Sequence, residues 1–151
     1  MNNDLLDYIG LGFSAFTSAS LLPGTSEMVL AVLWYQKLNI VLLWCVATAG
    51  NVAGSCINYW LGVQCQRFSS QRWFPIKPAE FNRAQGWMSK FGTPVLLLSW
   101  LPVVGDPLTL MAGVFRLALW RFLVLMLIAK GGRYAALLLF ADTFLTPWIH
   151  V

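Results

Sequence analysis

A chain of 151 residues with 58% hydrophobic and 11% charged side chains has a mean hydropathy of +0.67, whereas globular chains carry about 25% charged residues. That deficit excludes a domain that folds in water, and the length leaves room for roughly four or five helical segments of a membrane protein beside no soluble domain. The net charge of +4 does not mark a nucleic-acid binder, because the bases flank apolar runs instead of gathering with aromatics on one wet face.

The N-terminus, Met1-Asn2-Asn3-Asp4, lacks the basic stretch that opens a secretory signal, so the first helix is expected to be mature structure. Residues 5–22 read as an apolar helix capped by Asn3 or Asp4 and interrupted by Pro23-Gly24. That helix reaches about 27 Å, while the limb from Thr25 to Gln36 reaches only about 18 Å. A limb that short cannot cross, so residues 1–37 are expected to form a re-entrant hairpin with its tip inside the bilayer.

Leu38 to Gln66 contains no charged residue and is long enough to span even when tilted. It is the clearest transmembrane segment, 38–66. Asn51, Gly54, Ser55 and Asn58 recur at i, i+3, i+4 and i+7 and share one face. Close packing is the expected role of Gly54 and Ser55, whereas Asn51 and Asn58 stand equally as packing or substrate-facing residues. Cys45, Cys56 and Cys65 offer no paired framework and read as buried thiols.

Residues 67–78, with Arg67, Arg72, Lys77 and two prolines, have the composition of an extramembrane loop. Over 79–91 the apolar Phe81, Ala84, Met88 and Phe91 oppose Glu80, Arg83 and Lys90, a pattern that suits a helix lying in the interface. Loop and helix together occupy 67–92. Thr93 to Phe115 is apolar but broken by Pro102, Gly105 and Pro107 and contains Asp106, so 93–116 is expected to form a second re-entrant hairpin. Arg116 and Arg121 then precede a last crossing helix, Phe122 to Phe144 within 117–151, whose apolar run is interrupted by Lys130 and Arg133. Bases outside the apolar runs concentrate between Arg67 and Arg121, which by the positive-inside rule puts 67–92 in the cytoplasm and both termini outside.

A weak repeat links the halves. Each hairpin carries a Leu-Pro pair with an acid four residues after the proline: Pro23 with Glu27, Pro102 with Asp106. The same alignment superposes Asn51 on Lys130 and Gly54 on Arg133. Hairpins entering from opposite sides would make the halves inverted copies, the arrangement with which many transporters build a site near the midplane. The expected fold is an all-α integral membrane protein: an inverted repeat of re-entrant hairpin plus transmembrane helix, with an interfacial amphipathic helix between the halves. Pro23, Gly24, Pro102, Gly105 and Pro107 are expected to shape the two tips.

Four ionisable residues fall at bilayer depth, where such groups usually mark function. Glu27 lies in the first turn of a return limb, where outward N–H groups and the helix dipole favour negative charge. Asp106, directly before Pro107, also suits a plain N-cap with proline at N1. Lys130 and Arg133, at i and i+3 around Gly131-Gly132, share a face, with Tyr134 beside them as a secondary candidate. They either neutralise the two acids or, when an acid takes up a proton, open to an anionic headgroup. Arg offers phosphate a fork of donors and Lys a point charge.

Leu-Leu-Pro-Gly-Thr-Ser-Glu27, Leu-Ser99-Trp-Leu-Pro102-Val-Val-Gly-Asp106, Ala112-Gly113 and Lys130-Gly-Gly-Arg133-Tyr134 together resemble the DedA family of bacterial membrane proteins, of VTT-domain type, closest to its small YqaA-like branch. The resemblance covers nearly the whole chain. It implies an inverted-repeat fold with two facing hairpins, the bacterial inner membrane as location, and flipping of undecaprenyl phosphate or related lipids, often linked to the proton gradient. Glu27 matches the family's hairpin glutamate. The second hairpin departs from the pattern: the broader family has arginines flanking the proline, whereas this chain has Ser99 before Pro102 and Gly105 and Asp106 after it. The phosphate-binding bases would then come from Lys130 and Arg133.

No enzyme, cofactor or metal site is expected, since His150 is terminal and nucleotide-loop, nucleophile-elbow and metal-ligand spacings are missing. The expected partners are anionic membrane lipids, not nucleic acid, and a homodimer suits so small a chain. Three functions follow: a proton-coupled transporter of a phosphate-headgroup lipid, a non-transporting scaffold or assembly factor whose buried charges are structural, and a small-ion channel or exporter.

Overall fold

The computed structural model describes residues 2–19, 24–64, 78–101 and 104–145. Among them lie six α-helices: α1 (Asn2–Ser18), α2 (Thr25–Tyr35), α3 (Ile40–Val63), α4 (Pro78–Phe91), α5 (Gly105–Val114) and α6 (Leu119–Phe140). A 3-10 helix, Thr93–Trp100, precedes α5, and a π-helical turn, Ala141–Leu145, continues α6. The described residues contain no strand.

Helix starts differ from the sequence expectation where backbone geometry overrides side-chain chemistry. α1 begins at Asn2, so Asn3 and Asp4 sit inside its first turn and neither is the cap. α2 begins after Gly24, whose φ of 98° is a left-handed conformation that glycine adopts without a Cβ penalty. α3 starts two residues beyond Leu38 because the Asn39 side chain accepts hydrogen bonds from the N–H groups of Val41 and Leu42. Asp106 is not an N-cap: α5 starts at Gly105, with Val104 in the cap position and no capping side chain. A Cβ on Gly105 would overlap the Ser99 carbonyl, so the backbone of the 3-10 helix packs where the sequence suggested a turn. Pro107 is thereby the third residue of α5 instead of its first, and Asp106 has no capping duty.

The connectors from α2 to α3 and from α5 to α6 are built alike. Each helix ends on a residue near φ −75° and ψ 0°, Gln36 at φ −72°, ψ 2° and Phe115 at φ −78°, ψ 1°. A base with positive φ follows, Lys37 at 62° and Arg116 at 50°. Lys37 N–H donates to Trp34 and Leu38 N–H to Leu33; Arg116 N–H donates to Gly113 and Leu117 N–H to Ala112. The alignment that pairs Glu27 with Asp106 also pairs Lys37 with Arg116 and Ile40 with Leu119, the first residues of the two long helices.

α3 is the hub. α1 runs alongside it in parallel register, Gly12 at Gly50 and Phe16 at Gly54, and at the other end Gly62 meets Leu110 and Gly113 of α5. A Cβ on Gly50, Gly54, Gly62 or Gly113 would strike the backbone of the facing helix, so each of these close approaches requires a glycine at that position. α6 runs antiparallel to α3: Tyr59 OH donates to the Leu117 carbonyl near one end, while Ile40 and Leu139 line one groove at the other. Two apolar clusters result. One joins Met88 of α4, Leu96, Leu108, Met111, Phe122 and Met126; the other joins Leu11, Leu30, Leu43, Ala47 and Leu138 around Tyr134. The candidate site lies where they meet.

Ile40–Val63 and Leu119–Thr143 are long and apolar enough to cross a membrane, and most of each stays uncovered by the rest of the chain. Large side chains such as Phe13, Met28, Trp60, Trp120 and Leu139 are exposed, a surface that water does not support and lipid does. Several sequence expectations are corrected by this packing. Arg121 lies inside α6 and does not precede it. Cys45 is exposed on the outer side of α3, opposite the buried Leu43 and Ala47, and Cys56 is half-buried; neither is a buried thiol. In α4, Ala84 and Met88 are buried as expected, but Phe91 is exposed, with the Lys90 ammonium over its ring. Pro23, Pro102, Cys65, the loop residues 65–77 and the side chain of Phe81 lie outside what the structure describes.

Candidate functional site

The first turn of α2 carries Ser26, buried, and Glu27, and the middle of α6 carries Lys130, Arg133 and Tyr134. Consecutive residues on each helix face each other across this junction. Arg133 Nη2 donates to Glu27 Oε1 in a direct ion pair, with the two side chains 15% and 20% exposed. One residue earlier on α2 and one later on α6, Ser26 Oγ lies 2.9 Å from Tyr134 OH. Breaking one partner of such a sheltered pair leaves an uncompensated charge, which is far costlier than losing a surface bridge.

A hydrogen-bonded ring encloses the Ser26–Tyr134 contact. Ser18 Oγ, from the end of α1, donates to Ser26 Oγ at 3.0 Å. Asn51 Nδ2, from α3, donates to Ser18 Oγ at 3.1 Å and to Tyr134 OH at 3.0 Å. Four helices are thus joined by four polar side chains, of which Asn51 is 2% exposed and Tyr134 fully buried. Closed networks of this kind fix one packing arrangement, because any member left unpaired is penalised at low dielectric.

The second acid sits on α5, whose apolar residues belong to the other cluster. Asp106, in the first turn of α5, and Lys130, only 3% exposed, lie within electrostatic reach of each other. Their separation is beyond direct contact, and Glu27–Arg133 is the one acid–base ion pair among the described residues. Arg133 is therefore engaged by a carboxylate, whereas Lys130 has a counter-charge at a distance.

The remaining sequence candidates separate by position. Asn58 Nδ2 donates to the Ala19 carbonyl at 2.7 Å and so holds the end of α1. Gly24 shapes the start of α2 and lies 3.7 Å, measured from an ideal Cβ, from Glu27 Oε2. Ser18, Ser26 and Thr48 escaped sequence reasoning, although Ser26 adjoins Glu27 and Thr48 lies three residues before Asn51 on the same helix. Among the described residues no cluster of three His, Cys, Asp or Glu side chains offers a metal site.

The VTT-domain family model matches residues 22–143. The chain belongs to the VTT-domain (DedA) family. It is 36% identical over 139 residues to inner membrane protein YqaA of Escherichia coli (strain K12), covering 89% of this chain and 90% of that one. An uncharacterized protein of Haemophilus influenzae is 37% identical over 143 residues, covering 87% and 85% of the two chains. More distantly, undecaprenyl phosphate transporter A of Staphylococcus aureus is 29% identical over 104 residues, 62% of this chain and 50% of its own. No solved structure matches. The VTT-domain match contains both acids, both bases, Asn51 and Tyr134, and Ser18 alone of the ring falls before it. This member of the VTT-domain family is a membrane protein whose polar residues converge inside the helical bundle, and two of its helices are long and apolar enough to cross a membrane.

Proposed function

We propose that this chain moves a lipid with a phosphate headgroup, such as undecaprenyl phosphate, across the bacterial inner membrane in a proton-coupled step, without covalent chemistry. The observation that carries the reading is that α6 presents Lys130 and Arg133 to acids from two separate elements, Glu27 of α2 and Asp106 of α5, in the interior of the bundle. In the resting arrangement Glu27 occupies the Arg133 fork. Protonation of Glu27 cancels its charge, and Arg133 with Lys130 then offers phosphate a fork and a point charge. The name of the Staphylococcus aureus relative supports this substrate class. The matched connectors after α2 and α5 support an inverted repeat in which α1–α2 and the 3-10 helix with α5 are re-entrant hairpins from opposite sides. In this reading the chain is multi-pass, 67–92 faces the cytoplasm, and lipid is the partner.

The test is flipping of a fluorescent or native lipid phosphate in liposomes with and without a pH gradient. Glu27→Gln is expected to abolish the pH dependence, and transport with unchanged pH dependence refutes the proposal. The direct ion pair also favours a second reading, a scaffold in which Glu27 and Arg133 only lock α2 to α6. Combining Glu27→Arg with Arg133→Glu separates them. A scaffold keeps its stability and its cellular role with the pair reversed, whereas a transporter folds and loses activity.

A further inference from the structure

Three buried oxygen atoms, one on α2 and two on α3, have no hydrogen-bond partner among the described residues: Glu27 Oε2, Asn51 Oδ1 and Thr48 Oγ1. Asn51 and Thr48 are 2% and 3% exposed, so bulk solvent does not satisfy them. Buried polar atoms in native proteins are matched, by protein or by ordered water. Asn51 Nδ2 is committed to Ser18 and Tyr134 and Arg133 Nη2 bonds Glu27 Oε1, and no donor of the described residues reaches the three oxygens.

Asn51 is linked to the pair through Tyr134 and Ser26, the sequence neighbours of Arg133 and Glu27. The alignment that carries Lys37 onto Arg116 carries Glu27 onto Asp106 and Asn51 onto Lys130, and Asp106 and Lys130 sense each other's charge. Where one half sets a lysine near its acid, the other sets a neutral amide with a bare carbonyl oxygen. Thr48 lies one turn from Asn51, and its methyl would be 3.6 Å from a Cβ on Gly131. Buried oxygens of this kind are satisfied by a small group that can both donate and accept, which describes water.

We propose that water held by Asn51 Oδ1 and Thr48 Oγ1 delivers the proton to Glu27 Oε2, which makes Asn51, Thr48 and Tyr134 positioning residues of the site. The inference rests on the reading of Glu27 as the titrating acid of a transporter. In the step, Oε2 takes a proton from the water while Oε1 stays with Arg133; the water regains a proton from the next donor and finally from bulk. The carboxyl becomes neutral and Arg133 loses its counter-ion, and deprotonation reverses both. Ser26 Oγ and Tyr134 OH, either of which can donate to the other, let the hydroxyl ring reorient as the water changes its donors.

The charged and titratable groups around Glu27 are few. α6 brings Arg133, Tyr134 and, one turn away, Lys130; Asp106 of α5 acts through Lys130. α3 contributes Thr48 and Asn51 at this level, and α1 contributes Ser18, with Asp4 and Asp7 at its far end.

Infrared difference spectra of the full chain in nanodiscs of phosphatidylethanolamine and phosphatidylglycerol, taken between acid and neutral pH, test the proposal, with Glu27→Gln assigning the carboxyl band. Thr48→Val and Asn51→Leu are each expected to move that band to higher wavenumber and to slow its hydrogen–deuterium exchange about tenfold, the scale of one lost hydrogen bond. Thr48→Ser is expected to restore both. An unmoved band with unchanged exchange in the isosteric Thr48→Val variant overturns the inference, as does the absence of any Glu27 band. The readout needs no lipid movement. Failed flipping with a water-sensitive band refutes the transporter alone, and flipping with an insensitive band refutes the water alone.

Discussion

Glycine and asparagine decide this structure more than its charges do. Gly62 and Gly113 meet backbone to backbone, so a methyl at either has nowhere to go. Gly62→Ala or Gly113→Ala is expected to destabilise the protein by about 1–3 kcal/mol, the usual cost of overpacking, read from thermal unfolding in detergent. Gly132, with no atom within 4 Å of its Cβ position, is the control: Gly132→Ala is expected to be neutral or to stabilise by up to ~1 kcal/mol through helix propensity. The glutamate, both bases and Asn51 were legible as candidates because a charge or amide inside an apolar run stands out. Ser18, Ser26 and Thr48 were not, since hydroxyls are common in such helices and their role depends on which helix lies opposite. The burial of Cys45 was misjudged for a related reason: a run apolar all round does not say which side faces lipid.

At the scale of elements, proline and glycine positions were enough to break residues 2–35 and 93–114 each into two shorter helices ahead of a long one. Boundaries failed where backbone contacts set them. Asp106-Pro107 has the chemistry of a helix start, yet the close approach of Gly105 to Ser99 begins α5 earlier. The turns at Lys37 and Arg116 went unnoticed, because no residue-type pattern announces a lysine or arginine with positive φ. Their left-handed geometry tolerates an unbranched side chain at modest cost and a β-branched one poorly. Lys37→Val and Arg116→Val are each expected to cost about 1–2 kcal/mol, with Lys37→Gly and Arg116→Gly close to wild type. Unequal effects in the two turns would show that the connectors are not energetically alike.

For the whole molecule, the orientation proposed above predicts opposite labelling of equivalent sites. In a background lacking Cys45, Cys56 and Cys65, Gln36→Cys is expected to react with a membrane-impermeant thiol reagent from the periplasmic side, and Phe115→Cys from the cytoplasmic side. Reaction of both from one side refutes the inverted arrangement. The family and the all-helical architecture were readable from motif and composition, since both rest on local sequence. The convergence of α1, α2, α3 and α6 on one polar ring was not, because it arises from contacts between residues as distant in the chain as Ser26 and Tyr134.

The glycine contacts also divide the molecule mechanically. α1 and α5 are keyed into α3 by main-chain steps that resist sliding, whereas α6 rests on its neighbours through side chains such as Trp44, Tyr59 and Phe122, which can change rotamer. The helix bearing both cations is thus tied in by side-chain contacts and hydrogen bonds, so a change in its position would leave the glycine contacts of α1 and α5 intact.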